Sequence, residues 1–108
     1  MPTVNKAVLI GYLGAEPEMT YSSKGTAITN ISIGTNRMET TDWHRIVSFG
    51  TNAEWVNENT HKGDMVYIEG SVQYSTWTKQ DGTSQKQTQI YADKVLLLKG
   101  RNPIAGTE

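Results

Sequence analysis

Alternation of period two dominates the chain and predicts strands, because successive side chains of a strand point to opposite faces. Such alternation, or a β-rich apolar run, occurs in five segments separated by Gly, Pro, Asn or Ser turn signals. A short extended piece is also predicted near residues 19–21. The predicted strands are Val4–Leu13, Thr26–Thr35, Asp42–Gly50, Met65 to Trp77 or Thr78, and Gln87–Leu98.

One segment departs from this pattern and predicts a short helix after the third strand. Thr51 or Asn52 would cap the helix, and Lys62-Gly63 would stop it. The predicted buried face of this helix consists of Ala53, Val56 and Thr60.

Glycines divide the predicted strands further. Gly11 predicts a bulge or a close approach, Gly70 a bend, and Asp81-Gly82 the hairpin loop before the last strand. The resulting order of three strands, a helix and two strands is that of an all-β OB-fold, a five-stranded Greek-key barrel. A plain β-sandwich is the alternative. We expect one domain over residues 1–98 and a loose C-terminal tail over residues 99–108.

Composition excludes several classes of function but does not identify the function. Ten Lys and Arg against eleven Asp and Glu give a net charge of −1, so any nucleic-acid binding needs a locally basic groove. The chain has no cysteine, which excludes a disulfide framework, a thiolate metal site and a cysteine nucleophile. We recognise no signal peptide or membrane-spanning run, and the expected location is cytoplasmic: the bacterial nucleoid, or the host cytoplasm for a phage protein.

The third predicted strand, Asp42–Gly50, carries the most specific pattern. Trp43, Arg45, Val47 and Phe49 share one face of it, and His44 lies on the other face with Ile46. A face of this kind can be packed core, but a core rarely buries an unpaired guanidinium. The pattern therefore favours a surface on which bases stack while the cation meets phosphate.

Four segments together resemble the bacterial-type single-stranded DNA-binding proteins, over residues 3 to about 98. The resemblance implies an OB-fold, sequence-tolerant binding of single-stranded DNA in replication, recombination and repair, and a homo-oligomer, most often a tetramer, with a dimer possible. The segments are residues 4–14 with Pro17-Glu18, residues 42–50, residues 62–70, and Trp77 ahead of Asp81-Gly82.

Matching the family's motifs assigns stacking to Trp43, Phe49 and Trp77, and a phosphate contact to Lys62. The family's tryptophan after strand two is missing here, and Met38 offers a softer contact in its place. Asn59 replaces the tyrosine expected in the helix, so we expect fewer stacking contacts per subunit. The acidic tail with which family members recruit replication proteins is also missing, which predicts a short form or a cut chain.

The remaining assignments follow from position along the strands. Trp55 is expected to pack the helix onto the barrel. Tyr67 lies an even number of residues before Trp77, and therefore on the same face of the predicted strand, and could face DNA. Candidate phosphate contacts, besides Arg45 and Lys62, are Arg37, Lys6 and Lys79. Candidate oligomer contacts are His44, which the resemblance places at the subunit contact, and Val4, Val8 and Ile10.

Catalysis is not expected, because the acidic residues are scattered and form no metal-binding or nucleophile motif. No cofactor or metal is predicted. Two binding alternatives stay open. One is a replication-restart, primosome-type accessory protein that mainly bridges partner proteins; the other is a carbohydrate-binding barrel in which the aromatics stack on sugar rings.

Overall fold

Strands and a single helix make up the computed structural model, which describes residues 3–99 and, for Trp77 and Lys99, the backbone only. The tail predicted over residues 99–108 falls, from residue 100 onward, outside the described residues. The elements are β1 (Ala7–Leu13), β2 (Glu18–Tyr21), β3 (Ala27–Arg37), β4 (Thr40–Phe49), α1 (Gly50–Asn59), β5 (Met65–Thr78) and β6 (Ser84–Lys99).

Five of these strands close into a barrel. β1 pairs with β5, β5 with β6, β6 with β4 and β4 with β3, and β3 returns to β1 where Leu13 lies opposite Ile33. β2 pairs with the first part of β3, outside the ring. Since α1 lies between the third and fourth strands of the ring, the predicted OB-fold is confirmed.

The junction between β4 and β6 is the parallel seam of the barrel. Within the described residues it consists of two pairs, Ile46 with Ile90 and Val47 with Tyr91. All other strand pairs are antiparallel and longer, apart from the equally short β1–β3 contact.

The inward faces of the strands form one apolar core. Ile33, Ile46 and Ile68 are fully buried, and each contributes about 1.5–3 kcal/mol relative to an exposed side chain. Ile46, which lies on the same face of β4 as His44, is part of this core. The core cluster comprises Leu13, Ile31, Ile33, Ile46, Val56, Val66, Ile68, Ile90 and Ala92.

Helix α1 packs its predicted face on the barrel, since Ala53, Val56 and Thr60 are fully buried. The predicted cap at Thr51 or Asn52 is wrong: the helix begins at Gly50, and the cap position, Phe49, makes no side-chain hydrogen bond. Sequence pattern missed this because the Asn52 amide donates instead to the Asp93 carbonyl of β6, at 3.3 Å.

Two glycines allow strands to approach closely, as predicted. A Cβ at Gly11 would collide with the carbonyl oxygen of Gly34, and one at Gly70 with the carbonyl oxygen of Tyr91. The register of β5 and β6 also shifts between Glu69 and Gly70, so the long strand bends there. No helix within residues 3–99 is long and apolar enough to cross a membrane.

Candidate nucleic-acid interface

The outer face of β4 carries two exposed aromatic rings with an exposed cation between them. Trp43 is 60% exposed, Arg45 is exposed, and Phe49 is partly exposed at the end of the strand. Val47, on the same face, is buried and pairs with Tyr91 across the parallel seam. We call Trp43, Arg45 and Phe49, together with Tyr91, the aromatic face.

Trp43 lies against two glycines, whose lack of a side chain leaves room for its ring. A Cβ on Gly14 would lie 2.5 Å from Cζ3 of the indole, and one on Gly34 would lie 2.8 Å from the same atom. One side of the six-membered ring is therefore in contact with backbone. Because the indole is still 60% exposed, the rest of its surface is available to a ligand.

Phe49 contacts Tyr91 edge to face, with ring centroids 5.0 Å apart and planes at 71°. Aromatic pairs prefer this geometry because the positive edge of one ring meets the negative face of the other. Sequence reasoning did not name Tyr91 as a binding candidate. It missed Tyr91 because the parallel pairing of β4 with β6 joins residues more than forty positions apart.

Arg45 lies between two clefts. The first, of about 160 Å³, separates β4 from β6 and is lined by Trp43, His44, Arg45, Thr88, Gln89 and Ile90. The second lies on the other side of Arg45, towards β2 and β3. A guanidinium in this position can reach a strand that stacks on Trp43 from either side.

Lys62 lies in the loop between α1 and β5, exposed to solvent. Its backbone N–H donates to Oε2 of Glu16 at 3.0 Å, and Oε1 of the same carboxylate lies 3.2 Å from Nδ1 of His61. Gly63 N–H donates to the Leu13 carbonyl at 2.9 Å. Because Leu13 precedes the glycine under Trp43, this loop is fixed close to the aromatic face.

Arg37 and Met38 lie at the β3–β4 turn. The Arg37 guanidinium binds both carboxylate oxygens of Asp42, at 3.0 and 3.1 Å, and this pairing lowers the pKa of Asp42. Arg37 is therefore partly neutralised, which weakens it as a phosphate contact. Met38 is 98% exposed and has a positive φ of 55°, so its side chain projects into solvent.

Lys6 and Tyr67 lie beside the exposed apolar residues of β1. Nζ of Lys6 is 2.8 Å from Oε2 of Glu69, and this ion pair raises the pKa of Lys6. In the register of β1 with β5, Glu69 is opposite Val8, and Tyr67 is opposite Ile10. Tyr67 lies on the same side of the strand as expected for Trp77, but ten residue steps, roughly 33 Å of strand, separate the two.

The exposed side of β1 forms what we call the apolar face. Val8, Ile10 and Tyr12 alternate there, each about half exposed, and Leu96 of β6 lies opposite Tyr67 beside them. Val4, the other predicted contact, is almost fully exposed ahead of the strand.

His44 does not lie on the apolar face. Its Nε2 is 2.9 Å from Oγ1 of Thr35, a side chain of the neighbouring strand β3. Strand β3 also separates β4 from β1. A subunit contact at His44 would therefore be a second one, apart from Val8 and Ile10.

Trp77 and Lys79 lie at the far end of the β5–β6 hairpin. Trp77 pairs with Gln85, and the Lys79 N–H donates to the Thr83 carbonyl at 2.8 Å across the predicted Asp81-Gly82 turn. The hairpin extends beyond the aromatic face, so Trp77 is a position on the hairpin that is separate from the aromatic face. Trp55, expected to pack on the barrel, is 38% exposed on α1.

Comparison with known proteins agrees with this arrangement. The model of the single-strand binding protein family matches residues 4–98. Single-stranded DNA-binding proteins of Xanthomonas campestris pv. campestris and Xylella fastidiosa are each 39% identical to the chain, over 107 and 112 residues. The alignments cover 91% and 95% of this chain but 62% and 68% of the relatives, so the chain spans about three fifths of the length of the first.

A solved structure shares the fold. The Plasmodium falciparum single-stranded DNA-binding protein, in a complex with single-stranded DNA, superimposes with a TM-score of 0.82 at 26% identity. The match covers 92% of this chain and 98% of that one. The replication-restart alternative is not favoured by these relatives, and their shared name describes binding rather than catalysis. By the family model and the relatives together, this chain belongs to the single-strand binding protein family.

Proposed function

We propose that this protein binds single-stranded DNA without reading its sequence, and protects it during replication, recombination and repair. Bases stack on the aromatic face while Arg45 and Lys62 contact phosphate, with Trp77 and Lys79 extending the path along the hairpin. The relatives' names and the DNA complex of the structural neighbour support this proposal. The proposed location is the cytoplasm, where such DNA is found.

The observation that carries the proposal is the position of Trp43. An exposed tryptophan normally loses side-chain entropy when a ligand orders it, but contact with the two glycines already restricts this ring. A base can therefore stack on it at little further cost. Because every base has a π-face, such a platform binds tightly without selecting a sequence.

The test replaces Trp43 with alanine and compares it with Trp55→Ala. Trp43→Ala should weaken binding to labelled oligo(dT), measured by fluorescence anisotropy, by about 1–3 kcal/mol. Trp55→Ala should leave the affinity unchanged and lower the melting temperature. If both variants bind like the parent protein, Trp43 is not a stacking platform. If only Trp55→Ala loses binding while folded, the two tryptophans have been assigned the wrong way round.

We also propose that copies of the chain associate through the apolar face, as a dimer or as a tetramer built from dimers. Val8, Ile10 and Tyr12 expose apolar surface on one strand, and within the described residues Ala7 to Gly11 pair only with β5. Such an exposed edge invites pairing with a second strand. Burying the half-exposed apolar side chains gives a favourable free energy of about 25 cal/mol per Å².

Ile10→Glu tests the assembly. A carboxylate at this position would be buried in the contact, so the mass measured by light scattering should fall towards one subunit. Tyr21→Glu, which changes an exposed aromatic residue on β2 in the same way, should leave the mass unchanged. A parent protein that is monomeric at micromolar concentration would rule the assembly out.

A further inference from the structure

A polar cleft of about 200 Å³ lies on the side of Arg45 that faces away from the β4–β6 cleft. Three neighbouring strands supply its side chains. Glu18 of β2 lies opposite Asn30 of β3, and Ser32 of β3 lies opposite Arg45 of β4. Carboxylate, amide, hydroxyl and guanidinium groups are thus side by side on one outer surface, and Ala15, Glu16 and Ile31 complete the lining.

The cleft has room for a base and lies close to Trp43 along β4. Its volume of about 200 Å³ is more than ten times the about 10–15 Å³ that one water needs. Arg45 is two residues from Trp43 on the same face of β4 and lines both clefts. A nucleotide next to the one stacked on Trp43 can therefore place its base in the cleft.

The charges in the cleft favour a base over a phosphate. Glu16 lines the cleft, and its carboxylate is committed to the Lys62 N–H and to His61. Glu18 also lines the cleft and is exposed on β2. A phosphate placed in the cleft would be repelled by two carboxylates and attracted by one guanidinium, that of Arg45, whereas a base carries no charge and can donate N–H groups to the carboxylates.

We propose that this cleft is a base-recognition subsite that favours bases with an exocyclic amino group over thymine or uracil. The Glu18 carboxylate accepts a hydrogen bond from the amino group of cytosine, adenine or guanine, and Asn30 and Ser32 donate to ring nitrogen or carbonyl oxygen, which leaves Arg45 to contact phosphate. Uracil and thymine present a carbonyl where cytosine presents its amino group, so Glu18 has no amino donor to bind there. This inference rests on the proposed DNA-binding function and adds a modest base preference to it.

The experiment compares oligo(dC) with oligo(dU), whose bases differ only along the edge that Glu18 would read. The quantity measured is the ratio of the dissociation constants for oligo(dU) and oligo(dC), in the parent protein and in Glu18→Ala. The parent ratio includes any difference in strand stiffness, and this difference cancels when the two proteins are compared. Loss of one hydrogen bond should lower the ratio roughly threefold to tenfold in the variant.

A matched control separates base recognition from charge. Glu54→Ala removes an exposed carboxylate from α1, outside the cleft, and should change both affinities equally. Asn30→Ala removes the donor to ring nitrogen N3, which is an acceptor in cytosine but a donor in uracil, and should lower the ratio as Glu18→Ala does, with the charge unchanged. If Glu18→Ala changes both affinities by the same factor, the cleft does not read bases and the inference fails. If neither oligonucleotide binds the parent protein, the proposed function itself fails.

Discussion

Gly14 and Gly34 matter to binding because the ring of Trp43 occupies the space that a side chain would take. The indole contacts both residues, one from the segment after β1 and one from β3, so its orientation depends on three parts of the chain. The sequence shows an aromatic residue at position 43 and glycines at 14 and 34, but not that they meet. Their meeting follows from the register, in which Gly34 lies opposite Trp43.

Gly34→Ala tests whether the orientation of Trp43 matters. The new methyl group would lie 2.8 Å from Cζ3 of the indole and 3.2 Å from the Thr41 methyl, so the ring must lift. We expect anisotropy titrations with oligo(dT) to show part of the loss of ~1–3 kcal/mol that a stacked base contributes. The fold should remain, since the φ of Gly34 is not in the left-handed region.

Two further variants make this prediction specific. In a Trp43→Ala background, Gly34→Ala should cause no additional loss of affinity, because there is no ring left to displace. Gly25→Ala strains a residue with φ of 85° that has nothing within 4 Å of a new Cβ, and should lower stability but not affinity. An equal loss of affinity in all backgrounds would show that Gly34 acts only through the fold.

At the scale of elements, the loop between α1 and β5 is held in place by the segment between β1 and β2. The Glu16 carboxylate binds the Lys62 N–H and His61, and the neighbouring strand end binds Gly63. A negative side chain near a DNA path would ordinarily weaken binding. Here the same side chain orients the loop that carries Lys62, so the two effects have opposite signs.

Glu16→Ala should therefore weaken DNA binding rather than strengthen it. The expected loss is about 1 kcal/mol, the net contribution of a typical hydrogen bond, here expressed through the position of Lys62. Glu16→Gln keeps an oxygen acceptor for the Lys62 N–H and should retain most of the affinity. In a Lys62→Ala background, Glu16→Ala should have no further weakening effect when the same titration is repeated; tighter binding by Glu16→Ala alone would contradict the idea.

The sequence was informative about elements and less so about contacts between them. The strand order, the hairpin at Asp81-Gly82 and the buried helix face follow from local patterns, and the structure has them all. The helix cap could not be predicted from local pattern, because the Asn52 side chain bonds to a strand distant in sequence. Tyr91 was missed for the same reason, since its partner Phe49 is on a strand that it meets only in the closed barrel.

For the whole molecule, the balance of charge leaves no large excess of cations to meet phosphate. Net charge is −1, and both Arg37 and Lys6 are paired with carboxylates. Arg45, Lys62 and Lys79 are the exposed cations that lie along the proposed path. We therefore expect stacking to contribute more to affinity, and counterion release less, than in a strongly basic protein.

The salt dependence of binding should reflect these three contacts. With a slope of about −0.7 per phosphate contact on single strands, raising salt from about 50 to 200 mM should lower the affinity per subunit roughly twentyfold. Arg45→Gln should make the slope shallower by about 0.7. Lys86→Gln, which removes a cation located 4.5 Å above the Tyr74 ring, should leave the slope unchanged; a slope unaffected by Arg45→Gln would mean that Arg45 does not contact phosphate.

The parallel seam between β4 and β6 lies at the proposed binding surface of the barrel. Its two residue pairs hold β4 to β6, and the Phe49–Tyr91 contact crosses the same line, so the aromatic face extends over both sides of the junction. A strand of DNA bound across both rings would connect β4 to β6. Barrel closure and ligand binding would then stabilise each other. Each separation of β4 from β6 would break a ligand contact together with the backbone pairs.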